Sequence, residues 1–163
     1  MAVGPKFGTK FRMVQNPPAG SQRIVPYLNY EDAPAAIEFL VKAFGFTERM
    51  RMPMPDGRIG HADLAYGDDC IMLASVWSEM GMASPKNLPA THSRVQMYVD
   101  DVDAHFAQAK AAGAKIIAEP EDQFYGDRMY RAEDCEGHQW LFSQRVRELN
   151  AEEMAAAMKA MTA

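Results

Sequence analysis

Two side chains that could move a proton, His61 and Asp63, stand two positions apart in a stretch that alternates like a β-strand, Arg58–Tyr66. Residues i and i+2 of a strand share one face, and the other face of this stretch is apolar enough to pack under a helix. A histidine can act as a general base near neutral pH when a carboxylate orients it. Because the strand rise separates the two residues by about 6–7 Å, the sequence leaves open whether they bond directly or merely line a wet cavity or a dimer seam.

A second polar face is predicted on the strand Arg94–Val99, where Arg94 and Gln96 alternate with apolar residues. The planar fork of arginine can hold a carboxylate or phosphate group through two hydrogen bonds. Arg94 therefore predicts an anion clamp. An internal salt bridge to Asp63 or Glu133 is the alternative that fits the sequence equally well.

The motif Tyr125-Gly126-Asp127-Arg128 follows a proline-containing loop. We expect Tyr125 to form a wall of a ligand cavity. Asp127 and Arg128 are expected to hold the loop through a local ion pair, which is a structural role.

These side chains are carried by a pattern that occurs twice, in Ile24–Gly45 and in Val95–Gly113. In each copy an apolar strand-like run reaches an aspartate, a helical segment follows, and a glycine ends it. Three strand-like runs come after each glycine. The sequence therefore predicts a β-α-β-β-β unit written twice, with helices at Ala33–Phe44 and Asp101–Ala112, and an α+β fold built from a duplicated half-domain.

The predicted organisation has three parts. Residues 1–22 form an N-terminal arm rich in Gly and Pro. Residues 23–145 form the α+β domain, and residues 146–163 form a C-terminal helix. Asn150 and Glu153 have the spacing of a capping box at the start of that helix.

Within the domain, the two predicted modules are residues 23–76 and 92–144. The linker between them, residues 77–91, contains Gly, Pro, Trp and Met. We interpret it as a connector between packed modules. A flexible lid over a pocket is the alternative, because Trp and Met suit apolar ligands.

The composition argues against several kinds of partner. The 163 residues carry a formal net charge of −5 and no basic run, which disfavours nucleic acid and anionic membrane surfaces. No apolar stretch approaches the ~20 residues of a membrane span, and no secretory signal is evident. The two cysteines lack metal-binding spacing. We expect a cytoplasmic protein with free thiols.

Three segments of the chain are IVPYLNYEDAPAAIEFLVKAFGF, GHADLAYGDDCIML and YGDRMYRAEDCEGHQWLF. Together they resemble the PhnB-like branch of the vicinal oxygen chelate superfamily, which includes glyoxalase I, bleomycin- and fosfomycin-resistance proteins and extradiol dioxygenases. The resemblance implies two βαβββ modules whose mixed and antiparallel sheets curl into an open half-barrel around a cavity. It also implies a homodimer. The closing turn, Asp134–His138, departs from the usual Asp-Pro-Phe-Gly-His, and we expect this change to matter little.

Enzymes of this superfamily hold a divalent metal through His, Gln or Glu at four repeated positions, on the first and fourth strand of each module. By the resemblance, these positions fall near Val25, Leu73, Arg94 and Leu141. Aliphatic side chains have no lone pair, and arginine is a cation without an acceptor, whereas such metals need O, N or S donors. The resemblance therefore predicts neither a metal site nor a cofactor here.

Two function classes remain. The first is a protein that binds a small organic molecule in the cavity, through His61, Asp63, Arg94, Gln96 and Tyr125. The second is a metal-independent enzyme with His61 and Asp63 as candidate catalytic residues, or a metal-dependent lyase, isomerase or dioxygenase if the four positions are misplaced. An acidic cavity would favour cationic ligands and one dominated by Arg94 would favour anions, and the sequence leaves this open.

Overall fold

In the computed structural model, which describes residues 15–161, a strand-helix-three-strand unit occurs twice and a third helix follows. The predicted α+β class with two βαβββ modules is confirmed. Most of the predicted N-terminal arm, residues 1–14, lies outside the described residues. The helices are α1 (Ala33–Phe44), α2 (Val102–Ala111) and α3 (Ala151–Met161). The strands are β1 (Tyr27–Tyr30), β2 (Thr47–Pro53), β3 (Ile59–Tyr66), β4 (Asp69–Ser75), β5 (Arg94–Tyr98), β6 (Lys115–Asp122), β7 (Asp127–Glu133) and β8 (Gln139–Arg145).

Each module forms its own sheet. The strand order is β1-β4-β3-β2 in the first sheet and β5-β8-β7-β6 in the second sheet. β1 pairs with β4 and β5 with β8 in parallel, and the remaining pairs are antiparallel. Within residues 15–161 no strand pairing joins the two sheets, so they do not close into a barrel and four edge strands stay available for other contacts.

Helix α1 begins and ends at the predicted residues. The Asp32 side chain accepts a backbone hydrogen bond of the first turn at 3.1 Å, and Pro34 lies where its missing N–H costs no bond. Gly45 ends the helix with φ of 73°, a conformation that glycine adopts without strain. Helix α2 is one residue shorter at each end than predicted, with Asp101 as its N-cap and Ala112 as its C-cap.

Strand β6 is longer than the sequence pattern predicts. The pattern gives a strand to Ala118 and a loop after it, whereas β6 continues through Pro120 to Asp122. The proline is tolerated because β6 is an edge strand of the second sheet and the ladder shifts register beside it.

The core lies between the two modules and is shared by them. Phe44, at the end of α1, packs against Trp140 and Phe142 of β8, with ring centroids 5.3 and 4.8 Å apart. Trp140 is fully buried. Helices α1 and α2 contact each other, and one face of each sheet contributes the other fully buried side chains. The opposite face of each sheet, called the outward face below, therefore points away from this core.

His105 of α2 lies in this core, although the sequence pattern assigns the apolar face of the helix to other residues. Only 8% of its surface is exposed. Because the carbonyl oxygen of Phe44 can only accept, Nε2 of His105 donates to it at 3.1 Å, and Nδ1 accepts from the Tyr130 hydroxyl at 2.6 Å. Burial lowers the pKa of His105, and the bond to Phe44 opposes this only in part.

We expect the free energy of unfolding to fall when the pH drops from about 7.5 to about 5. The pKa of His105 in the folded state lies below its ordinary value of 6.5, so the unfolded chain takes up the proton more readily. The stability that this group contributes is complete above the ordinary value and is lost as the pH falls through the folded-state value. Urea unfolding at both pH values measures the effect. His105→Gln keeps a donor and an acceptor without titrating, so an equal pH dependence in that variant would contradict the assignment.

The turn between β7 and β8, Asp134–His138, connects the two modules through a buried carboxylate. Glu136 accepts the backbone N–H groups of Glu31 and Asp32, both at 2.8 Å, at the start of α1, and it also accepts the hydroxyl of Ser84 in the linker. A helix start has N–H groups without partners and favours negative charge. The expectation that this turn's departure from the family pattern matters little is therefore wrong. The glutamate that replaces the usual Phe supplies the acceptor for these N–H groups at the start of α1.

Asp134, in the same turn, is buried and accepts four hydrogen bonds. The Tyr30 hydroxyl donates to it at 2.6 Å and the Trp140 indole at 3.1 Å, while the backbone N–H groups of Glu136 and His138 each donate at 3.0 Å. Burial raises the pKa of Asp134, but the interactions with His138, Tyr30 and Trp140 outweigh it, and the pKa lies below its ordinary value.

Helix α3 begins with the predicted capping box. The backbone N–H of Asn150 donates to Glu153, and the backbone N–H of Glu153 donates to Asn150, both at 2.9 Å. Among the described elements, α3 packs against no other helix or strand. None of the helices in residues 15–161 has the length and apolar character that crossing a membrane requires.

Candidate functional site

The alternation of β3 places His61 and Asp63 on the outward face of the first sheet. Ala62 and Leu64, between and beyond them, are fully buried against the core. The side chains of His61 and Asp63 are 25% and 26% exposed. The two residues are therefore half-shielded but accessible, as a contact with a small molecule requires.

His61 joins two other polar side chains in a hydrogen-bonded chain, Tyr27–His61–Asp63. His61 Nε2 lies 2.9 Å from Asp63 Oδ1, and His61 Nδ1 lies 2.8 Å from the Tyr27 hydroxyl. A carboxylate only accepts, so Nε2 carries the proton and Nδ1 accepts from the tyrosine. The direct bond that the sequence left open is thus formed, because the imidazole reaches along the strand.

Tyr27 is a member of this group that the sequence reasoning missed. Tyr27 lies on β1 and pairs with Met72 of β4. Met72 also pairs with Asp63 of β3. Burial and the charge of Asp63 raise the pKa of Tyr27, so the phenol stays protonated and donates to His61. The alternation of β1 could have shown that Tyr27 faces outward, but not which strand lies beside it.

Methionines surround the Tyr27–His61–Asp63 chain on the same sheet. Met50 is the cross-strand partner of Asp63 and Met52 that of His61, while Met72 pairs with Asp63 from the other side. Met50 and Met52 are 40% and 55% exposed. Thioether side chains are flexible and polarisable and suit contacts with varied apolar or aromatic surfaces.

A cavity of about 140 Å³, called the linker cavity below, lies where the linker passes the edge of β1. Tyr27 and Asn29 line it from β1, and the Asn29 side-chain oxygen is buried with no hydrogen-bond partner in the described chain. The linker is therefore a wall of a cavity as well as a connector. Between β4 and β5, the residues that line the linker cavity are Ala83, Pro85, Leu88, Thr91, His92 and Ser93.

The other predicted ligand contacts lie in the second module, Arg94 and Gln96 on β5 and Tyr125 in the loop between β6 and β7. Arg94 and Tyr125 line one cavity of about 290 Å³, called the arginine cavity below, together with Arg131. Gln96 lies in a different cleft, and its amide is 3.4 Å from the Ser143 hydroxyl. The five predicted residues therefore do not form one site within a single chain, because the outward faces of the two sheets point away from a common core.

The salt bridge considered for Arg94 is not formed within the described residues. Asp63 is bonded to His61, and Glu133 lies 2.8 Å from the ammonium of Lys115. The Arg94 side chain takes part in no ion pair or hydrogen bond of the described chain. Its guanidinium group is thus available to a ligand.

The ion pair predicted between Asp127 and Arg128 is wrong. Arg128 instead donates to Asp103 and Asp122, at 2.9 Å each, and so ties β7 to α2 and β6. Asp127 is buried, accepts the Tyr98 hydroxyl at 2.9 Å, and lies 3.1 Å from Arg145. The motif has the structural role that was expected, through other partners.

The four positions assigned to a metal by resemblance do not supply suitable donors. Leu73 is fully buried in the core, so that position is on the wrong face, and its outward neighbour is Met72. Arg94 and Leu141 line the arginine cavity but offer a cation and an aliphatic side chain. Among residues 15–161, no cluster of three or more His, Cys, Asp or Glu side chains could hold a metal ion. These residues do not fit the divalent metal of the family's enzymes.

Comparison with known proteins gives consistent family and fold matches. The model of the Glyoxalase/Bleomycin resistance protein/Dioxygenase superfamily matches residues 21–142. Two curated relatives, each 40% identical over 136 residues, are Mb0911c of Mycobacterium bovis and Rv0887c of Mycobacterium tuberculosis, both named as uncharacterized proteins. The matches cover 82% of this chain and, respectively, 90% and 80% of the relatives.

Solved structures show the same fold. TioX from Micromonospora sp. ML1 is 34% identical, with a TM-score of 0.61 over 77% of this chain and all of the other. Protein PA1353 from Pseudomonas aeruginosa has the same TM-score of 0.61 over 78% of this chain and 100% of its own, at 19% identity. The second likeness concerns the fold alone.

Proposed function

Because the chain belongs to the glyoxalase/bleomycin resistance protein/dioxygenase superfamily, we propose that it binds a small organic molecule, without the divalent metal of the family's enzymes. The observation that carries the proposal is the Tyr27–His61–Asp63 chain, with bonds of 2.8 and 2.9 Å on a methionine-lined outward face. The quoted sequence segments support assignment to the PhnB-like branch.

The features of the first sheet suit a partly apolar molecule with one or two polar groups. Ligand sites are mainly apolar, with a few placed polar groups that fix orientation. Exposed Met50 and Met52 provide apolar contact area, and Tyr27 and His61 provide hydrogen bonding. The unpartnered oxygen of Asn29 in the linker cavity can accept from a ligand N–H or O–H, and such a bond would relieve the cost of its burial.

A thermal-shift screen of small organic molecules, with and without divalent ions, tests this function, since a ligand that binds only the folded state raises the melting temperature. For a ligand found in this way, we expect His61→Ala to weaken binding by about tenfold, because a hydrogen bond contributes roughly 1 kcal/mol and the group left unpaired adds to the loss. A ligand whose affinity is the same in this variant would contradict the site. A strict requirement for a divalent ion would restore the metal-dependent alternative.

We also propose a homodimer. Within residues 15–161 the edges of β1, β2, β5 and β6 pair with no further strand, and such edges are normally covered. A dimer that places the first sheet of one copy against the second sheet of the other would enclose a cavity and unite the five predicted ligand contacts. Sedimentation at tens of micromolar protein should give twice the chain mass; a mass of one chain, unchanged with concentration, would contradict this.

A metal-independent enzyme is the second candidate, favoured by the same hydrogen-bonded chain. Its geometry allows the Tyr27 oxygen to take a proton from a bound molecule while passing its own to His61 Nδ1, with Asp63 stabilising the resulting imidazolium. If this occurs, Tyr27→Phe should abolish turnover of a discovered ligand while leaving its affinity within about threefold. Loss of affinity and turnover in parallel would favour the binding protein.

A cytoplasmic location is proposed as well. Cys70 and Cys135 are both free thiols. Unpaired cysteines are typical of reducing compartments.

A further inference from the structure

The arginine cavity on the second sheet contains two guanidinium groups that the fold leaves unused. Arg94 of β5 and Arg131 of β7 both line it. We propose that this cavity binds the carboxylate or phosphate group of an organic anion between Arg94 and Arg131. The inference rests on the proposed function and narrows it to one chemical class of ligand, and it assigns a role to Arg131.

The strand register brings the two arginines to the same place. Arg131 pairs with Leu141 in the β7–β8 ladder, and Arg94 pairs with Gln139 in the β5–β8 ladder. They are thus separated by the width of β8 and by two positions along it. Strands lie about 4.8 Å apart, so the two backbones are roughly 10 Å apart. Two long arginine side chains can converge on one small anion across that distance, over the aliphatic Leu141.

The two remaining arginines of the second sheet, in contrast, are paired with carboxylates. Arg128 is bonded to two aspartates at 2.9 Å, and Arg145 lies 3.1 Å from Asp127. The guanidinium groups of Arg94 and Arg131 take part in no ion pair or hydrogen bond of the described chain. The arginines that stabilise the sheet have carboxylate partners, and those that line the cavity have none.

Two carboxylates also line the arginine cavity, Glu119 and Glu121. Glu119 lies 3.5 Å from the Lys110 ammonium, which offsets its charge. Glu121 has no cation partner within the described chain. The cavity therefore presents two cationic groups against one uncompensated carboxylate, and its net charge favours a compact anionic group beside the arginines.

The remaining lining indicates an organic ligand rather than a simple inorganic ion. Leu141, Met129 and Ala118 contribute apolar surface, and Tyr125 contributes an aromatic ring. The Tyr125 hydroxyl donates to the Met129 sulfur at 3.0 Å, which holds the ring in place. An aromatic or aliphatic body could pack on these side chains while its anionic end reaches the arginines.

The test uses the full chain and matched pairs of probes. Benzoate and phenyl phosphate carry the anion, benzamide has the same ring without charge, and inorganic phosphate has the charge without the ring. The probes are titrated while the arginine Nε–H resonances are followed by NMR. We expect both aromatic anions to shift the Arg94 and Arg131 signals, to bind at least tenfold more tightly than benzamide or inorganic phosphate, and to weaken with added salt.

Arg94→Gln and Arg131→Gln should each weaken the aromatic anions by about tenfold or more, because each removes a charge-assisted fork. Arg131→Lys should recover only part of the affinity that Arg131→Gln loses, since lysine keeps the charge without the planar fork. Arg49→Gln removes the same charge from the first sheet, where Arg49 bonds only a backbone carbonyl. This variant should leave the affinity for the aromatic anions unchanged.

Equal binding of benzamide and benzoate, or an Arg49→Gln effect as large as the others, would overturn the anion site. A library ligand that binds the first sheet while no anionic probe shifts Arg94 or Arg131 would overturn this inference and leave the proposed function standing. Absence of any ligand from the screen would defeat the proposed function instead.

Discussion

Replacing Gly126 by alanine should destabilise the protein by about 3 kcal/mol or more, enough to unfold a marginally stable chain. Gly126 has φ of 97°, and an added Cβ would lie closer than 3.0 Å to the backbone oxygen of Arg147, a separation that real Cβ atoms essentially never show. The carbonyl of Gly126 also accepts the N–H groups of Val146 and Arg147, each at 3.0 Å. The clash cannot be relieved without breaking these bonds, so left-handed strain and lost bonding add together.

Gly57→Ala is the matched control for this prediction. Gly57 has a similar φ of 87°, but its added Cβ would meet nothing within 4 Å. Only the left-handed strain remains, which we expect to cost about 1 kcal/mol. Urea unfolding of both variants measures the difference. Equal losses would show that the approach of Arg147 to Gly126 is not a constraint.

The second large effect is expected for Asp134→Ala, at about 3–5 kcal/mol. The substitution leaves the Tyr30 hydroxyl and the Trp140 indole N–H buried without their acceptor, along with two backbone N–H groups of the turn. Each buried group without a partner costs roughly 1–3 kcal/mol. Chemical unfolding at neutral pH would give the value.

Two further variants separate this network from a general effect of the turn. Asp134→Asn keeps the shape but turns an NH₂ group toward two donors, so it should lose a large part of the same stability. Asp68→Ala changes an exposed aspartate of the equivalent turn between β3 and β4 and should stay within about 0.5 kcal/mol. A loss from Asp68→Ala as large as that from Asp134→Ala would contradict the network.

The pH dependence of this contribution has a definite sign. The pKa of Asp134 is lowered in the folded state from its ordinary 3.8. Its electrostatic stabilisation is therefore complete above that ordinary value and is lost as the pH falls through the lower folded-state value. The difference in unfolding free energy between the wild-type chain and Asp134→Ala should shrink in strong acid and stay constant between about pH 5 and 7.

The fold was predictable because its signals are local. Asp32 marks the start of α1 and Gly45 marks its end. The alternation of β3 places Ala62 and His61 on opposite faces of the strand. Asn150 and Glu153 likewise predict the start of α3. Each of these features depends on residues within a few positions of one another.

The candidate site was less predictable because it depends on pairing between strands. Tyr27 meets His61 only because β1 lies beside β4, and 34 positions separate the two residues. Assigning Leu73 to a ligand position failed because counting from a turn does not give the face of a strand. The sequence reasoning placed Arg94 and His61 in one ligand cavity. Each module has its own sheet, however, and the outward faces of the two sheets diverge.

The bond between Glu136 and α1 has a consequence for how the chain is made. Glu136 is 105 positions from Glu31 and 104 from Asp32, so the first module leaves the ribosome long before its helix receives this acceptor. Until the last turn has been translated, the N–H groups of Glu31 and Asp32, immediately before α1, lack this acceptor. Contacts so distant in sequence also form slowly during refolding. A nascent chain stalled before Glu136 should therefore be more sensitive to protease around Glu31 than one stalled after the end of β8.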